Sequence, residues 1–60
     1  MTEHKQKAKH ILNKLGVTSG RKHIKQIIYL AQHLDSKNIL NYWESVEKNF
    51  EDVISNQTSS

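Results

Sequence analysis

The sequence predicts an all-α protein, a small three-helix bundle. Two observations carry this. Apolar residues recur at helical spacing in three separate stretches, and short polar or glycine-bearing breaks divide them. The breaks, around Gly16 to Gly20 and at Asp35-Ser36, are too short to hold a sheet between the helices. The expected helices lie near residues 7–15, 21–34 and 37–54, in one domain spanning residues 1–60.

The opening residues, 1–6, are polar and offer no capping box. Lys5, Lys7 and Lys9 would crowd cations at the positive end of a helix dipole, so fraying is expected there. From Ala8 the pattern is clear: Ala8, Ile11, Leu12 and Leu15 follow the i, i+3, i+4, i+7 template. Gly16 then ends the helix as a left-handed residue, with Val17 folding back on Leu12 in a Schellman cap.

Thr18-Ser19-Gly20 reads as a turn, with either hydroxyl able to cap the second helix. In that helix Ile24, Ile27, Ile28, Ala31 and Leu34 form the buried stripe, with Leu30 at its edge. Asp35-Ser36 breaks the pattern and provides the next N-cap. The third helix carries Ile39, Trp43, Val46, Phe50 and Val53 at steps of four, three, four and three. It holds the single Trp and the single Phe, so the core is expected to form against it. The tail, residues 55–60, is polar and expected to be disordered.

Size limits what such a core can do. A chain below ~70–80 residues rarely gains more than ~3–5 kcal/mol from one core. Cysteine is absent, so no disulfide or thiolate site supplements it. Dimerisation is the expected remedy. No apolar run approaches the ~20 residues of a membrane span, and the basic start lacks the apolar segment of a secretory signal. A cytoplasmic protein is the expectation.

Charge is unevenly spread. Within residues 1–25, Lys5, Lys7, Lys9, Lys14, Arg21, Lys22 and Lys25 stand against Glu3 alone, a balance of +6. Within residues 26–60, Lys37 and Lys48 face Asp35, Glu44, Glu47, Glu51 and Asp52, a balance of −3. Such asymmetry points to a polyanion, an oppositely charged protein or self-association.

Little suggests catalysis. His4, His10, His23 and His33 include no pair at the i, i+3 or i, i+4 spacing that metal sites on helices use, so no metal or cofactor is expected. The serines lie in turns, in the tail or on a polar helix side, and a chain this short can hardly close a water-excluding pocket. A non-enzymatic protein is expected.

The outer face of the second helix is more informative. Lys22, Lys25, Gln26, Tyr29 and His33 lie opposite the apolar stripe, and no carboxylate occurs from Arg21 to Leu34. Basic and amide side chains with an aromatic are what a helix offers to phosphates and base edges in a major groove. The lettering LAQHLDSKNILNYWE invites comparison with a helix-turn-helix. That motif would make the third helix the reader, and Glu44, Glu51 and Asp52 on its exposed side would repel phosphates.

Two functions fit these features. In the first, a regulatory protein binds DNA as a homodimer. Lys22, Lys25, Gln26 and Tyr29 approach the groove, and Lys5, Lys7, Lys9 and Arg21 contact phosphates. In the second, a small protein of the phage or mobile-element type blocks or adapts a host protein. Its contact is the aromatic stripe, Tyr42, Trp43, Val46 and Phe50, or the acidic side of the third helix.

Overall fold

A computed structural model describes residues 3–58 of the chain, and the described residues form two helices and no strand. Helix α1 runs from Glu3 to His33 and helix α2 from Lys37 to Thr58. Two helices replace the expected three because the first two stretches join in one span, α1, kinked at Gly16. The break is nonetheless real: Gly16 has φ 82° and ψ −176°, a conformation open essentially only to glycine. It divides α1 into two arms, residues 3–15 and 17–33.

This geometry corrects the expected ending at Gly16. The ψ of −176° is extended rather than left-handed helical, so Gly16 does not form a Schellman cap. Leu15 and Val17, on either side of it, stay 44% and 40% exposed. Thr18, Ser19 and Gly20 are not a turn but the start of the second arm.

Both arms pack on α2 around one core. Ala8 and Ile11 from the first arm, Ile24 from the second, and Val46 and Phe50 from α2 are all buried together. Half-buried Leu12, Ile28, Tyr42, Trp43 and Ile54 surround them. The arms meet α2 closely at Gly20. A Cβ placed there would lie 2.8 Å from Cζ of Phe50 and 3.2 Å from Cγ2 of Ile11. Gly20 is therefore a packing residue: its missing side chain is the space the Phe50 ring fills.

The Schellman cap expected at Gly16 occurs instead at the end of α1. The Ser36 N–H donates to the Ala31 carbonyl at 3.1 Å, and the Asp35 N–H donates to the Gln32 carbonyl at 3.2 Å. Those are the two bonds of the motif, with Asp35 at its left-handed position, φ 58°. The Ser36 carbonyl then accepts from Leu40 N–H at 3.0 Å, so Ser36 stands at the N-cap of α2 as expected. An Asp tolerates this φ less well than Gly. Asp35→Gly should stabilise the monomer by ~0.5–1 kcal/mol after the added chain entropy of glycine is counted. The check is a denaturation midpoint that moves up at unchanged slope.

The helices also outrun their expected ends. The first arm is helical from Glu3, not frayed to residue 6, because the His4 ring packs 4.8 Å from Tyr42 and Glu3 complements the helix dipole. Helix α2 continues through residues 55–58, which were expected to be disordered, since no Gly or Pro interrupts it after Val53 and Ile54. The remaining residues of those two expectations, 1–2 and 59–60, lie outside the described ones.

One part of the expected stripe fails. Leu34 is 73% exposed and Leu30 57%, and Ile39, on the core-facing side of α2, is 47% exposed. Among the described residues of the first arm, His4 meets α2 at Tyr42. The helix pair is long, 39 Å by 25 Å by 17 Å. Its radius of gyration is 11.5 Å, against roughly 10.4 Å for a compact domain of this length.

Candidate nucleic-acid interface

The basic face sits where the sequence puts it, opposite the core. The second arm turns Ile24 and Ala31 inward, so the 100° step per residue directs Lys22, Lys25, Gln26 and Tyr29 outward. All four are exposed or half-exposed, Tyr29 at 63%. The Tyr29 ring stacks on His33 at 5.7 Å and 24°, one turn further along, which steadies it on the surface. Thr18, Arg21, Lys22, Lys25, Gln26, Tyr29 and Leu30 line an open groove along this arm.

Helix α2 divides that face. Arg21 makes a bidentate ion pair with Glu51, Nε to Oε2 at 2.7 Å and Nη2 to Oε1 at 2.9 Å. The hydrogen bond to Arg21 lowers the Glu51 carboxyl from its ordinary value; burial opposes this, and the Arg21 and Lys25 charges add to it. The same hydrogen bond raises Arg21. Arg21 is thus committed to a carboxylate rather than free for phosphate. Lys25, one turn further on, shares the field of that carboxylate. Lys22, Gln26 and Tyr29 lie on the side of the helix away from it.

The lysines of the first arm do not join this face. Lys7 places its Nζ 5.9 Å from the centre of the Trp43 ring, within cation–π range. Lys5 and Lys9 line a separate shallow depression with Val53, Asn56 and Gln57. Their i, i+4 spacing puts them on one side of the arm and Lys7 on another. The expected set of eight nucleic-acid residues is therefore three groups.

The aromatic stripe of α2 is not an open surface. Val46 and Phe50 have no exposed area, because the two arms of α1 cover them. Trp43 is half-buried, with the His23 ring edge-on at 6.3 Å, Lys7 above it and Tyr42 at 5.7 Å. Tyr42 is half-buried under His4. Of these four residues, Val46 and Phe50 are enclosed by the chain itself, while Tyr42 and Trp43 keep part of their surface exposed. His4, His23 and His33 each pack on an aromatic ring, a role their sequence spacing does not suggest. The exposure of Leu34 and Ile39, which the spacing places on buried stripes, is not visible in the sequence; Leu30 falls at the edge of its stripe. For Leu34 the signal is the number of apolar residues on the second helix, more than one buried stripe can hold.

The chain matches no family model, no curated protein and no solved structure. No helix among the described residues is long and apolar enough to cross a membrane.

Proposed function

We propose that this chain is a small, non-enzymatic regulatory protein of the cytoplasm that binds DNA as a homodimer. The observation that carries the reading is the outward ridge of Lys22, Lys25, Gln26 and Tyr29 on α1, with no carboxylate in its own helix from Arg21 to Leu34. Lys22 and Lys25 neutralise phosphates and set most of the affinity. Gln26 and Tyr29, on the same outward face, meet base edges. Arg21 acts as a positioning residue: paired with Glu51, it fixes the second arm to α2 and keeps the ridge in place.

The test is a fluorescence titration of labelled duplex DNA with the wild type and with a Lys22→Glu/Lys25→Glu variant. Both positions are exposed, so the fold should survive the change. At ~0.1 M salt the double reversal should weaken binding at least tenfold. Gln26→Ala and Tyr29→Ala should instead change the ranking of DNA sequences. Equal binding by the wild type and the double reversal would rule this face out.

A further inference from the structure

We propose that the apolar edge at the turn between α1 and α2 is where a second copy of this chain docks, in a two-fold arrangement. This rests on the dimer of the proposed function and identifies the surface behind it. Leu30 also borders the groove of the basic face. The test therefore uses Leu34, Asp35 and Lys37 and no nucleic acid, and either reading can fail alone.

Three observations converge on this edge. First, the helix pair carries exposed apolar side chains on both sides of this turn. Leu30 and Leu34 stand one helical turn apart at 57% and 73% exposure, and Ile39 lies across the turn at 47%. Ile39 shares its stripe with buried Val46 and Phe50, so its side of α2 is built for burial and lacks a cover. Clustered exposed apolar residues with a polar rim mark association sites.

Second, the rim is self-complementary in charge. Asp35 and Lys37 flank Ser36 in the turn, and both are exposed. Neither has an ion-pair partner among the described residues. A two-fold axis near Ser36 sets Asp35 of one copy against Lys37 of the other, twice, while the leucines and Ile39 meet between them. That is the isologous pattern, in which one patch satisfies its own copy. Two like-charged flanks would have excluded it.

Third, the turn is held rigid. The Ser36 and Asp35 N–H groups donate to the Ala31 and Gln32 carbonyls, which holds the backbone that carries the two charges. Asp at a left-handed position where Gly would fit better also becomes intelligible, since Gly has no carboxylate to offer Lys37 of a second copy.

The experiment is sedimentation equilibrium of the purified full chain without nucleic acid, from ~1 to ~300 μM. The wild type should pass from monomer to dimer in that range. Leu34→Glu, at a position outside the core, should raise the dissociation constant at least tenfold with the helical signal of the monomer intact. Lys37→Glu should raise it about threefold or more. Asp35→Gly should separate two readouts, raising the melting temperature of dilute monomer while weakening association. Mixing Lys37→Glu with wild type should give heterodimers of intermediate affinity, because one of the two rim pairs survives. A monomer mass throughout the range overturns the proposal and leaves the edge to a different partner. A dimer indifferent to Leu34→Glu also overturns it, by placing the interface elsewhere.

Discussion

Phe50→Ala is expected to remove most of the folded population at room temperature. The ring has no exposed area, fills the space left at Gly20, and shares its core with Ile11 of the first arm and Ile24 of the second. Deleting a buried Phe costs ~3–5 kcal/mol, of which part is the cavity left behind. Here the neighbours cannot collapse into that cavity: Gly20 has no side chain to move, and the Ile11 backbone is fixed by its helix. A single small core supplies about as much stability in total. The far-ultraviolet signal of the variant should therefore lose its cooperative melt. Leu34→Ala is the control. Its side chain is mostly exposed, so dilute monomer should change by less than ~1 kcal/mol. Comparable losses from the two substitutions would mean that the core does not centre on Phe50.

The second large effect is expected at Gly16. No heavy atom lies within 4 Å of a Cβ placed there, so any penalty for a side chain is backbone strain alone. At φ 82° and ψ −176° that strain is ~1–3 kcal/mol for an L-residue. L-Ala also favours the helix the site interrupts. Straightening α1 through residue 16 would draw Ala8 and Ile11 away from Phe50. Gly16→Ala should thus destabilise by ~2–3 kcal/mol. Chemical synthesis provides the decisive comparison, because D-alanine finds the same dihedral angles relaxed. With D-Ala at position 16 the protein should be as stable as the wild type, or more stable by up to ~1 kcal/mol through the restricted unfolded chain. Equal melting temperatures for the L- and D-Ala proteins would show that the break at Gly16 does not matter to the fold.

Phe50 and Gly16 also show how far the letters alone reach. Helical stripes are periodic, and periodicity survives in the letters. The all-helical class, the core positions Ala8, Ile11, Ile24, Val46 and Phe50, and the break at Gly16 are legible for that reason. A glycine has two uses, however, and its letter does not separate them. Gly16 supplies a backbone angle, whereas Gly20 supplies room for a ring from a helix thirty residues away. Gly20 reads as a turn because nothing local marks a long-range contact. The letters place the Schellman cap at Gly16; it forms at Asp35, a tolerated but rarer choice.

The candidate face is legible to the same degree. Lys22, Lys25, Gln26 and Tyr29 are assigned to it by helix period alone. Which cations remain free is not, since that depends on how the arms lie against α2. Arg21 finds Glu51, and Lys7 finds Trp43, through tertiary packing that no window of sequence contains. The exposure of Leu34 and Ile39 likewise depends on how the arms lie on α2 rather than on composition.

The salt dependence of DNA binding tests the central claim most directly. The dissociation constant for one duplex would be measured from ~50 to ~200 mM salt, for the wild type and for Lys22→Glu/Lys25→Glu. Counterion release gives a log–log slope near −0.9 for each phosphate neutralised. With Lys22 and Lys25 both engaged, the slope in the association constant should be about −2 or steeper per protomer, and flatter by about two in the double reversal. A wild-type slope near zero, or the same slope in both proteins, would contradict the assignment of DNA binding to the outer face of α1.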